Sequence, residues 1–124
     1  MQPIVYVDTS VVRAGKLDQL KAETKGLVAF IESRVPQLIS YGFFFDGKEQ
    51  HMTVVAVHPD SASLAFHMDV GASEFRKFAD LIDLLKIDVY GPIDESVQSR
   101  LHDKARMLGR GTVTVHELHA GFAR

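Results

Sequence analysis

The chain has no cysteine, no tryptophan and no asparagine. Without cysteine there is no disulfide, no thiolate metal site, no iron–sulfur cluster and no cysteine nucleophile. That composition fits a reducing compartment, and a cytoplasmic location is expected. Neither sign of charge dominates, since 14 basic and 16 acidic residues leave a formal net charge of -2. No run of like charge suggests a nucleic-acid arm or an anionic-membrane patch. Long apolar runs are also missing. The longest nearly uncharged stretch, 35–45, holds Pro36, Gln37, Ser40 and Gly42 and is too short to span a bilayer. The opening residues lack a basic segment followed by an apolar one, so no secretory signal is expected.

What is present is ordinary globular material: 124 residues, 46% hydrophobic and 24% charged, with no repeat or linker. A single domain over 1–124 is expected, large enough to bury a core without covalent staples. Residues 3–12 are rich in Val and Ile and read as a strand. From Leu17 the apolar period changes to three and four, through Leu20, Leu27, Val28 and Ile31, which predicts a helix that Pro36 stops. Leu38 to Asp46 reads as a strand, Asp46-Gly47 as a hairpin, and His51 to His58 as the returning strand. Next come a short helix over 62–69, capped by Ser61 and interrupted at Val70-Gly71, and a second one capped by Ser73. The stripe of that second helix is Phe75, Phe78, Leu81, Ile82 and Leu85. Ile87 to Tyr90 is a short strand, Glu95 to Leu108 a helix capped by Asp94, and Thr112 to His119 a last strand. The predicted class is α+β: a ferredoxin-like βαββαβ unit with an antiparallel sheet, extended by a C-terminal helix and strand.

A sheet with one wet face alternates apolar and polar residues. Two strands here do not. Phe43, Phe44 and Phe45 are consecutive and so occupy both faces, and Val54, Val55, Ala56 and Val57 do the same. Helices on one side leave the other apolar face in need of a cover. Either a second copy packs face to face, or the helix 95–108 folds over the open side. The homodimer is the preferred expectation.

The strand with Arg13-Ala14-Gly15-Lys16-Leu17 before the first helix, the paired strands, and Ser61-Ala62-Ser63-Leu64-Ala65-Phe66-His67 resemble the antibiotic biosynthesis monooxygenase type of dimeric α+β barrel. The likeness runs over 3–89 and includes His67 followed by Phe75 and Phe78. It implies a dimer with an apolar pocket for a small aromatic or otherwise apolar ligand. It also implies cofactor-independent oxygenation of quinol-like compounds, or a related proton transfer, with no cofactor. The alternatives are a non-catalytic ligand-binding or stress-associated module, and a structural protein without a ligand. The haem-degrading branch of such proteins uses a tryptophan, which this chain lacks. A fold alone does not carry function.

Three residues are candidates for catalysis. His67 is a base or hydrogen-bond donor, because histidine titrates near neutrality. Asp8 is unusual on an apolar strand, and burial would make it a base. Tyr41 could orient a phenolic substrate. Tyr6, Phe43, Phe45, Phe66, Met52 and Phe78 are candidate pocket residues. Each has a plainer reading as core or interface packing. His116 and His119 are three apart on a predicted strand and point to opposite faces, so no metal site is expected. His51 and His58 bracket a strand and are expected at the surface or at a hairpin end.

Overall fold

The structure is a computed structural model and describes residues 2–124. In chain order the elements are β1 (Ile4–Val12), α1 (Leu17–Arg34), β2 (Ser40–Phe45), β3 (His51–His58), α2 (Ser61–Phe75), a 3₁₀ turn (Arg76–Phe78), β4 (Ile82–Tyr90), α3 (Glu95–Leu108) and β5 (Gly109–His116). The sheet order is β2-β3-β1-β4-β5. The first four strands are antiparallel neighbours, as the ferredoxin-like unit requires, and β5 joins parallel to β4 after the α3 crossover.

All three helices lie on one face of the sheet. The inward residues of β1 are Ile4, Tyr6, Asp8 and Ser10, each buried in alternation with Val5, Val7 and Thr9. Leu20, Leu27 and Ile31 of α1, Leu64, Met68 and Phe75 of α2, and Val97, Leu101 and Leu108 of α3 complete that core. The helix α3 therefore does not cover the open face, and one of the two expected covers is removed. Val5, Val7, Val55 and Val57 remain on that face, with Phe44 58% and Tyr90 44% exposed.

Two helices were expected between β3 and β4, and one is found. Gly71 does not interrupt α2, because the Phe75 ring packs directly over it, where a Cβ would have no room. A glycine that the periodicity reads as a break is there for close packing. The second expected helix does not form. Ile82, Leu84, Ile87 and Val89 point inward from a single long strand, and a bulge between Leu84 and Lys86 shifts the alternation so that it imitates a helical stripe. The cap of α2 is Asp60, not Ser61: its carboxylate accepts the Ser63 amide at 2.8 Å. Asp94 caps α3 as expected. The β2–β3 turn is longer than a two-residue hairpin. Asp46 Oδ1 accepts the Gln50 amide at 2.8 Å, and Glu49 takes a φ of 54°.

Candidate functional site

Beneath the helices the sheet holds a charged cluster. Asp8 is 3% exposed and Lys104 8%. The Tyr6 hydroxyl donates to Asp8 Oδ2 at 2.5 Å, and Lys104 Nζ donates to the Tyr6 oxygen at 2.8 Å and to Asp8 Oδ2 at 3.2 Å. The ammonium also lies 4.3 Å from the centroid of the Phe75 ring and 4.8 Å from that of Tyr6. Tyr6 and Asp8 are two apart on β1 and so share its inward face, while α3 brings Lys104 down from above.

Asp8 and Lys104 line an interior cavity with Tyr41, Phe43, Met52, Phe75 and Phe78. Its volume is about 20 Å³, room for one or two water molecules. Both tyrosines are held protonated. Burial raises the Tyr6 hydroxyl well above its usual pKa, and the Asp8 charge adds to the effect. Tyr41 is raised by the same causes in the same order. The Tyr6 hydroxyl is therefore a donor here, and the Asp8 carboxylate accepts from it.

His67 lies behind this cavity and does not line it. Its ring stacks on Phe75 with centroids 5.6 Å apart and stands edge-on to Tyr41 at 5.0 Å and to His58 at 5.3 Å. Burial, then the Lys104 charge, then His58, push its pKa down to about 3. It is neutral near pH 7 and a weak base. His58, expected near the surface, is fully buried, with Nδ1 2.8 Å from Ser63 Oγ. Burial lowers it to about 4 against a smaller opposing effect of Asp60.

Among the residues named from sequence, Asp8, Tyr6 and Tyr41 meet here, and Phe43, Met52 and Phe78 wall the cavity. Phe45 lies at the end of β2 in an outer groove. Phe66 is 50% exposed on the outer side of α2, beside Val35, Pro36 and Ser63, and does not reach the cluster. Lys104 was missed. Its signal was there: it sits three after Leu101 and four before Leu108, on the apolar stripe of α3, where a lone lysine needs a partner. Among the described residues no group of histidines and carboxylates has metal-binding geometry.

The fold places the chain with known proteins. MupZ from Pseudomonas fluorescens superposes with a TM-score of 0.79 at 20% identity, covering 100% of this chain and 96% of that one. SnoaB, a cofactor-independent oxygenase from Streptomyces nogalater, gives 0.64 at 12% identity over 74% and 94%. An antibiotic biosynthesis monooxygenase gives 0.62 at 16% identity over 73% and 99%. No protein-family model matches the sequence, and no curated protein sequence does. The chain has the ferredoxin-like fold of the antibiotic biosynthesis monooxygenases. The likeness to MupZ extends over the whole chain and so includes α3, which carries Lys104.

Proposed function

We propose that this protein binds a small, apolar, hydroxyl-bearing molecule against the Asp8–Tyr6–Lys104 cluster and removes a proton from it without a cofactor. The buried Asp8–Lys104 pair beside a cavity is the observation that carries this reading. Charges at such depth cost several kcal/mol to desolvate and are weak stabilisers even when paired, so a site is a better account of them than stability. Asp8 takes the proton, and the ammonium and the Tyr6 hydroxyl steady the oxyanion that forms. A deprotonated quinol gives an electron to dioxygen readily, so this step opens a route to cofactor-independent oxygenation. The likeness to SnoaB supports that class.

The test is a panel of phenols and quinols, followed by oxygen uptake and product analysis, with parent and Asp8→Asn proteins. Turnover reduced about a hundredfold or more in Asp8→Asn, with ligand binding kept, is expected. Equal rates in the two proteins would remove Asp8 from the chemistry. A second reading, a binding or structural module without turnover, draws support from the interior volume of about 20 Å³. It predicts that no member of the panel is consumed.

The protein is further proposed to act as a homodimer joined through the open sheet face. The valines of β1 and β3 with Phe44 and Tyr90 are an apolar surface that no helix of the chain shields. Among the described residues no helix is long and apolar enough to cross a membrane.

A further inference from the structure

The interior cavity and an outer groove share two side chains. The groove runs between α1 and the edge strand β2, has a volume of about 500 Å³, and is lined by Lys21, Thr24, Lys25, Val28, Tyr41, Phe43 and Phe45. Tyr41 and Phe43 also wall the cavity that holds Asp8 and Lys104. Their rings meet edge to face with centroids 5.2 Å apart. They thus line both a space too small for a ligand and one large enough for it. Both are only half-buried and sit on an edge strand, held by β3 on one side alone.

The charge of the groove is one-sided. Lys21 pairs with Glu49 at the β2–β3 turn and stands 5.6 Å from the Phe45 centroid. Lys25, one turn further along α1, has no carboxylate partner among the described residues. The groove therefore offers an apolar aromatic floor, an unneutralised ammonium at its rim, and two rings that it shares with the cavity lined by Asp8.

Building on the proton-transfer reading, we propose that the α1–β2 groove is the mouth of the site. It selects elongated apolar molecules with an acidic group at the end remote from the reacting hydroxyl. The reacting end passes Tyr41 and Phe43 to reach Asp8, the chain lies on Phe43, Phe45 and Val28, and the carboxylate stops beside Lys25.

Isothermal titration calorimetry with three matched probes tests this: a hydroxyphenyl-alkanoate, its methyl ester and the alkylphenol of the same length. The acid is expected to bind about tenfold tighter than the ester, a difference of ~1.4 kcal/mol. Lys25→Glu should abolish that preference and leave the ester's affinity within about twofold. Val28→Trp, a substitution at a half-buried position that fills the groove, should slow association of all three probes at least about tenfold with the cooperative melting transition retained. Equal affinity for acid and ester in the parent, or an association rate untouched by Val28→Trp, overturns the mouth assignment. If turnover still requires Asp8 while both groove variants behave as the parent, the groove falls and the proton-transfer reading stands. If no probe binds the parent protein, both fall.

Discussion

On β1 the side chains toward the helices are Ile4, Tyr6, Asp8 and Ser10, and those on the open face are Val5, Val7, Thr9 and Val11. The covered face is thus the more polar one, and the bare face the greasier. A sheet built only to fold in water would do the reverse. Each inversion asks for its own cause. Polar groups under the helices need partners and suggest chemistry, and the valines outside are what the proposed second protomer would cover. Sequence alternation sees both faces as equally mixed, and only the position of the helices separates them.

The inward side offers the most damaging way to break this contrast. Lys104→Met leaves Asp8 buried with a tyrosine for company, and removing one member of a buried pair costs about 3–5 kcal/mol. Proton transfer should fall with it. The double variant Asp8→Asn with Lys104→Met should recover most of the stability and none of the activity. Denaturant titrations of parent, single and double variants decide the matter. If the single variant is as stable as the parent, the pair does not carry the interior charge.

The outward side is tested by Val7→Lys, at the centre of the bare face, between Val55 and Asp88. A charge there is tolerated by a lone molecule in water and not by an apolar interface. Light scattering should give twice 13.8 kDa for the parent and a mass near 13.8 kDa for the variant at micromolar concentration, with the melting curve still cooperative. A parent that is monomeric at that concentration removes the dimer.

Much of this architecture was legible in the residues. Four of the five strands, the first helix and α3 follow from changes of period, and the consecutive phenylalanines of β2 announced a sheet apolar on both sides. The region between Ser61 and Tyr90 was not, because Gly71 and the bulge after Leu84 each mimic a different signal. In the site, Asp8 drew notice as an acid among valines. Its partner lies 96 positions away on α3, and no local pattern links the two. His67 was weighted by family likeness, and the fold turns its ring toward His58, Tyr41 and Phe75, behind the cavity wall.

Those two histidines give a gentler test on the covered side. Both have folded pKa values below the ordinary 6.5, about 4 for His58 and about 3 for His67. The unfolded chain binds protons first, so the stability they supply as neutral rings is whole above pH 6.5. It drains as pH falls toward 4 and 3, at about 1.4 kcal/mol per pH unit for each ring. His67→Met should remove its share. Between pH 7 and pH 5 the variant should lose about 2 kcal/mol less than the parent, read from denaturant midpoints at each pH. Equal losses would mean that His67 takes up its proton without unfolding the core.

Ser10 supplies the smallest effect and the one of opposite sign. Its hydroxyl is fully buried on the covered face, between the β-partners Met52 and Leu84, and has no hydrogen-bond partner among the described residues. A hydroxyl taken from water without compensation costs about 1–3 kcal/mol, so Ser10→Ala should leave stability unchanged or raise it by up to ~1 kcal/mol. Met52 and Leu84 both wall the cavity, which places the unused hydroxyl near the space proposed for a ligand. If the alanine variant is instead less stable than the parent, the hydroxyl bonds an ordered water in the resting protein. If stability holds while probe affinity drops, it belongs to the binding surface, and the polar character of the covered face extends beyond the charged cluster to the full inward edge of β1.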